Sequence, residues 1–260
     1  MSGRPPAGKW FMLGALAGAL AALALSSGFW KPSGLVGLAR EASDSVALVW
    51  FHEESGYTGS GTAFAIDDEG RFLTCAHVVG DRREVTLAVP SPEGERNVTA
   101  RVIARDPELD AALLEAKGLD LRPARLSRAA DVRPGEEVLF AGFPLGYTVQ
   151  ADLLPSVNVG HVSSLPRWKV SAGGPRIPII QIDALVSLGN SGSPLYRAST
   201  GEVIGMLKSH IHVPGLVGSG EGVLDIVQSI PPELAGRAGI GVALPADSLR
   251  AFLARNGAKP

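Results

Sequence analysis

A chain of 260 residues with 45% hydrophobic content can bury one or two cores, and its formal net charge of -2 supplies no basic field for nucleic acid. Its 32 glycines and 19 prolines, with few aromatics, suit short strands joined by turns better than a helical bundle, so an all-β fold is expected. A lone cysteine, Cys75, excludes an intramolecular disulfide.

After a short N-terminal segment (1–9), the run from Trp10 to Trp30 carries no charge, and at helical rise it spans about 30 Å, the thickness of a bilayer core. Arg4 and Lys9 precede it, which favours a cytoplasmic N-terminus and places everything after Trp30 across the membrane. Ala22-Leu23-Ala24 and Ala24-Leu25-Ser26 both offer a cleavage site, so a secreted product of a signal peptide is the alternative. Trp10, Phe11, Phe29 and Trp30 form interfacial aromatic pairs, and the expectation is an uncleaved transmembrane helix over 10–30 with a periplasmic or extracellular main domain. Residues 31–43 read as a linker.

Strand signals then follow in quick succession at 46–50, 61–66, 72–74, 85–89, 98–104 and 111–114, with Asp67-Asp68-Glu69-Gly70 as a hairpin turn. Six such strands close a small antiparallel barrel, assigned to 44–130. A second set at 137–143, 160–163, 177–183, 194–197, 203–209 and 240–244 predicts a second barrel within 131–260. The chain ends in an amphipathic helix from Pro245 to Arg255, with Asp247 or Ser248 available as caps. Two connections, 145–159 and 212–239, are longer than hairpins require, and the second is a candidate functional loop.

Three motifs punctuate these barrels in the order His, Asp, Ser, one of the few orders that build a catalytic triad. Thr74-Cys75-Ala76-His77-Val78-Val79 follows a strand. Asp106-Pro107-Glu108-Leu109-Asp110-Ala111 precedes another. Gly189-Asn190-Ser191-Gly192-Ser193-Pro194 puts a serine in a tight turn after Ile179–Ile182. An unassisted serine hydroxyl is a poor nucleophile, and a histidine titrating near neutrality can both take and return its proton. Asp106, ahead of a proline, is better placed to cap its turn than to serve as the acid. Cys75 reads as a small core residue rather than a nucleophile.

With Gly59-Ser60-Gly61, Gly201-Glu202-Val203-Ile204-Gly205 and Gly239-Ile240-Gly241-Val242-Ala243-Leu244-Pro245, these motifs resemble the trypsin-like serine proteases, and among them the HtrA (Deg) branch, over about residues 45–250. The resemblance implies a chymotrypsin-like pair of six-stranded barrels and an endopeptidase without cofactor. It implies Ser191 as nucleophile, His77 as general base, Asp110 as its orienting carboxylate, and the amides of Gly189 and Ser191 as the oxyanion hole. It places Leu185, Leu188, Met206, Leu207, Lys208 and Ser209 along the primary specificity pocket. The lack of an acid at Leu185 then favours a small or medium apolar side chain over Lys or Arg. Relatives often carry a PDZ domain and assemble as trimers; no PDZ domain is expected within this chain, and a homo-oligomer stays open. Ser193 stands where the family has glycine, and would disturb the site if that position needs a positive φ.

His161, His210 and His212 lack a third ligand at telling spacing, so no metal site is expected, and His52 reads as a strand-end residue. The function expected is hydrolysis of peptide bonds in exported or envelope proteins. The alternative is a catalytically inactive protease fold that binds peptides or acts as a sensor. An esterase is disfavoured, because Ser193 breaks the Gly-x-Ser-x-Gly elbow and helices do not alternate with the strands.

Overall fold

Alternating and continuous apolar runs become fourteen strands, β1 to β14, in a computed structural model that describes residues 34–52, 58–92, 94–128, 131–144, 152–169, 176–208 and 241–258. The expected helix at 10–30 and the 212–239 connection lie outside these residues. Among the described residues no helix is long and apolar enough to cross a membrane.

The first barrel contains β1 (Val46–His52), β2 (Thr58–Ala65), β3 (Arg71–Thr74), β4 (Glu84–Ser91), β5 (Gly94–Asp106) and β6 (Ala111–Glu115). It closes in the order β1-β2-β3-β6-β5-β4, with every pairing antiparallel. The hairpin turn at 67–70 is present: Asp67 Oδ1 accepts the amides of Glu69 and Arg71, and Gly70 takes a φ of 87°. The second barrel closes as β11-β14-β13-β12-β7-β8, from β7 (Glu137–Gly142), β8 (Ser156–Ser164), β11 (Ile180–Ile182), β12 (Pro194–Arg197), β13 (Val203–Lys208) and β14 (Gly241–Pro245). Two six-stranded antiparallel barrels are therefore present, as the sequence predicts.

Three expectations need correction. The linker at 31–43 holds a helix, α1 (Leu35–Ser43), which buries Leu38 and Ala42. Its Leu35, Leu38, Ala39 and Ala42 fall at helical spacing, a pattern that the adjoining Gly, Pro and Ser obscure. The single strand expected at 177–183 is broken at Ile179 into β10 (Arg176–Pro178) and β11, and β10 pairs with β9 (Arg167–Lys169) in a separate hairpin. The terminal helix begins at Ala246 (α3, Ala246–Arg255), and Pro245 occupies its N-cap without a side-chain cap, so neither Asp247 nor Ser248 caps it. Asp247 instead lies in the first turn, where a carboxylate favours the helix dipole.

Two clusters make the core. The smaller fills the second barrel with Val138, Phe140, Val162, Ile180, Ile182, Leu195, Ile204 and Leu207. The larger runs from the interior of the first barrel through Leu139, Ala141, Tyr196, Met206 and Leu244 to Leu249, Phe252 and Leu253 of α3. Strand β7 thus buries both faces: Val138 and Phe140 point into its own barrel, Leu139 and Ala141 toward the joint. Ser45 Oγ and Tyr196 Oη bond at 2.7 Å across that joint.

Candidate active site

Each barrel contributes to one cluster at the joint. On the first, β3 ends at Thr74 and the chain makes a single helical turn, α2 (Ala76–Val79), which carries His77. Its flanks Cys75, Ala76, Val78 and Val79 are buried, so the turn is fixed by packing while the His77 side chain stays 34% exposed. Asp110 closes the turn between β5 and β6. It is the one non-glycine among the described residues at positive φ, 61°, a conformation that aspartate tolerates better than most residues. Asp106 caps that turn by accepting the Leu109 amide at 2.9 Å, and it also meets Arg255 of α3 at 3.1 Å.

Asp110 reaches His77 three ways. Its Oδ1 accepts the His77 backbone N–H at 2.9 Å, and its two oxygens lie 3.0 and 2.9 Å from Nδ1. An ionised carboxylate can only accept, so Nδ1 carries the ring proton and Nε2 is left to accept from the Ser191 hydroxyl, 2.9 Å away. Burial by itself would raise the Asp110 pKa. The His77 side-chain hydrogen bond, the His77 and Lys208 charges and the His77 amide outweigh it, and the group is held below its ordinary value.

The second barrel supplies Ser191 on a loop fastened residue by residue. The Asn190 amide donates to Ser187 O (3.1 Å), Gly192 to Leu207 O (2.8 Å), Ser193 to Asn190 O (3.0 Å) and Leu207 back to Ser193 O (2.8 Å). The first barrel grips the same loop through Thr62 of β2: its amide donates to Ser191 O and its hydroxyl to Gly189 O, each at 2.8 Å. Thr62 was not among the sequence candidates. No local pattern marks it, because its partners lie in the nucleophile loop far along the chain.

The positive φ values in this loop belong to Gly189 (93°) and Gly192 (90°), and Ser193 is not among them. A Cβ on Gly192 would lie 2.0 Å from Thr62 O, so glycine is obligatory there twice over. Ser193 instead lays its hydroxyl toward Gly142, where a Cβ would come within 2.1 Å of Oγ. The Gly189 N–H, directed by this backbone, has no hydrogen-bond partner among the described residues.

The residues expected to line a specificity pocket differ in burial. Leu185 and Leu188 are exposed on the segment leading to Gly189, whereas Met206 and Leu207 are fully buried in the two core clusters. Lys208 is nearly buried, with Nζ 3.3 Å from Asp110 Oδ2. Ser209, His210 and His212 lie outside the described residues. His161 pairs with Asp183 at the surface, and His52 ends β1.

Cys75 Sγ, His77 and Asp110 offer ligand atoms within 4.8 Å of one another. Each already has a hydrogen-bond partner: the thiol donates to Leu207 O at 3.3 Å, Asp110 accepts from His77, and His77 Nε2 meets Ser191 Oγ. Burial foremost, and then the Asp110 charge, pushes the Cys75 thiol well above its usual range, which keeps it protonated.

Residues 61–206 match the family described as the trypsin-like peptidase domain. The chain is 34% identical over 199 residues to the mitochondrial serine protease HTRA2 of Bos taurus, covering 75% of this chain and 36% of that protein. It is 35% identical over 146 residues to a probable periplasmic serine endoprotease, DegP-like, of Ectopseudomonas mendocina, covering 56% and 28%. The chain thus spans about a third of the length of these relatives. Among solved structures, the HtrA-type protease AlgW with a tripeptide superposes with a TM-score of 0.62 at 25% identity, covering 85% of this chain and 64% of that one. An inactive form of Rv3671c from M. tuberculosis has the same fold, with a TM-score of 0.61 at 22% identity over 88% and 91%. The two barrels, the order of the motifs and these similarities place the chain in the trypsin-like peptidase domain family, among HtrA-like members.

Proposed function

We propose that the chain is a serine endopeptidase in which Ser191 is the nucleophile, His77 the general base and then acid, and Asp110 the carboxylate that orients and supports the imidazolium. The observation that carries this reading is the unbroken relay from Asp110 through His77 to Ser191 Oγ, assembled from both barrels with contacts of 2.9 to 3.0 Å. Ser191 attacks the scissile carbonyl while its proton passes to Nε2. The tetrahedral oxyanion is held by the Gly189 and Ser191 amides, worth roughly 3–4 kcal/mol per donor. Nε2 then returns the proton to the leaving amine, and water hydrolyses the acyl-enzyme by the same steps in reverse. No cofactor enters.

The substrates are protein chains outside the cytoplasm, a reading supported by the DegP-like relative's periplasmic description and by the charge-free run at 10–30. The exposed Leu185 and Leu188 precede the nucleophile loop in sequence, and as its apolar neighbours they suit apolar side chains before the scissile bond. A catalytically inactive peptide-binding role is disfavoured, because it leaves the aligned His77–Ser191 contact without purpose.

A fluorophosphonate probe should label the full chain at Ser191, and Ser191→Ala or His77→Ala should abolish both labelling and casein hydrolysis. Folded protein that stays unlabelled would sink the proposal. Turnover of short-chain esters without casein cleavage would make it an esterase.

A further inference from the structure

Lys208 stands apart from the residues around it. Along β13, Met206 faces the joint between barrels and Leu207 faces the second barrel's interior, so the two-residue repeat returns Lys208 to the joint face, at its rim. There its side chain is 11% exposed and its ammonium lies 3.3 Å from Asp110 Oδ2, the oxygen that also lies 2.9 Å from His77 Nδ1. A nearly buried lysine is tolerated only against an opposite charge, and here that charge is the carboxylate of the relay.

Resting on the triad reading above, we propose that Lys208 is a positioning residue of the relay: it anchors the Asp110 carboxylate and sets how strongly that carboxylate supports a protonated His77. The Lys208 ammonium and the His77 ring share one carboxylate oxygen. With His77 neutral, Lys208 keeps Asp110 from being a lone buried charge and helps to hold a turn whose φ of 61° is unfavourable. When the ring takes the serine proton, Lys208 repels the new charge and offsets part of the carboxylate's attraction. Loss of the Lys208 charge would leave the carboxylate's attraction for a protonated His77 unopposed. Among the described residues, the charged groups at the relay are Asp110 from the β5–β6 turn, which contacts His77, and Lys208 from β13, which contacts Asp110; Cys75, at the N-cap of α2, is a neutral thiol, and Asp81 pairs with Arg105 at the surface beyond that turn.

The test compares wild type, Lys208→Met and Lys208→Arg in the full chain. The acid limb of kcat/KM on a fluorogenic peptide is followed alongside the pH titration of the His77 ring by NMR, its signal assigned by loss in His77→Ala. In Lys208→Met both midpoints should move up by about one pH unit, while Lys208→Arg, which keeps the charge, should leave them near wild type. If Lys208→Met does not fold, Lys208→Gln is read in its place. Midpoints unmoved by loss of the charge overturn the inference, as does a change confined to peptide preference, which would make Lys208 a pocket wall. Should wild type lack Ser191-dependent hydrolysis, the protease reading falls, and the His77 titration still decides whether Lys208 is coupled to the ring.

Discussion

Asp110 concentrates the demands made on single residues here. It occupies a left-handed backbone conformation, is buried, accepts from the backbone and ring N–H groups of His77, and forms an ion pair with Lys208. Its carboxyl is held below the ordinary value near 4, so the folded state favours the ionised form more than the unfolded chain does. The resulting stability is present above that ordinary value and is lost as pH falls through the lower, folded one. Asp110→Asn should therefore unfold at lower urea than wild type at pH 7 and at pH 5, with the gap closing toward pH 3. A gap of constant size from pH 7 to 3 would show that the carboxylate's ionisation contributes nothing. Thr62 and Gly192 show a second kind of demand, since one side chain and one missing Cβ let two barrels approach within 2.8 Å at the nucleophile loop.

At the scale of elements, the loop at 189–193 and strand β7 share one small space. The Ser193 hydroxyl occupies the volume that a side chain at Gly142 would need, and among the described residues neither the buried Ser193 Oγ nor the buried Asn190 Oδ1 has a hydrogen-bond partner. Gly142→Ala should be severely destabilising alone and much less so in a Ser193→Gly background, with a coupling of about 1–3 kcal/mol in a double-mutant cycle of urea unfolding. Additive effects would mean that the two positions do not compete for that space. This pairing also marks the boundary of what the sequence made legible. Strands whose apolar residues run unbroken, such as Val46–Trp50 and Ala111–Leu114, announce themselves, and so do His77, Asp110 and Ser191, because chemistry restricts which residue types can serve in that order. Helix α1 was hidden because its four apolar contacts sit among residues typical of linkers. Thr62, Gly142 and the Lys208–Asp110 pair were hidden for a different reason: each matters only through a neighbour distant in sequence, 120 or more positions for Thr62 and its loop, and no local pattern encodes such a meeting.

For the whole molecule, the question is whether two barrels behave as two bodies. The larger core cluster argues that they do not. It continues from Phe64, Phe72 and Leu113 in the first barrel, through Leu139, Met206 and Leu244 at the joint, to Leu249 and Phe252 of α3, which packs on β13 and β14 and also reaches β6. Helix α3 is held to the first barrel again by Arg255 and Asp106 at 3.1 Å, an exposed pair that adds direction more than stability. Phe252 is 1% exposed, so Phe252→Ala should leave a cavity costing about 3–5 kcal/mol. Because that cavity opens into a core common to both barrels, the loss should lower a single unfolding transition, with near-UV dichroism and fluorophosphonate labelling of Ser191 vanishing at one urea midpoint in both wild type and variant. If labelling instead disappears well before the dichroism, or the variant splits one transition into two, the barrels unfold separately. The relay across their joint would then depend on docking of two independently folded halves rather than on a common core.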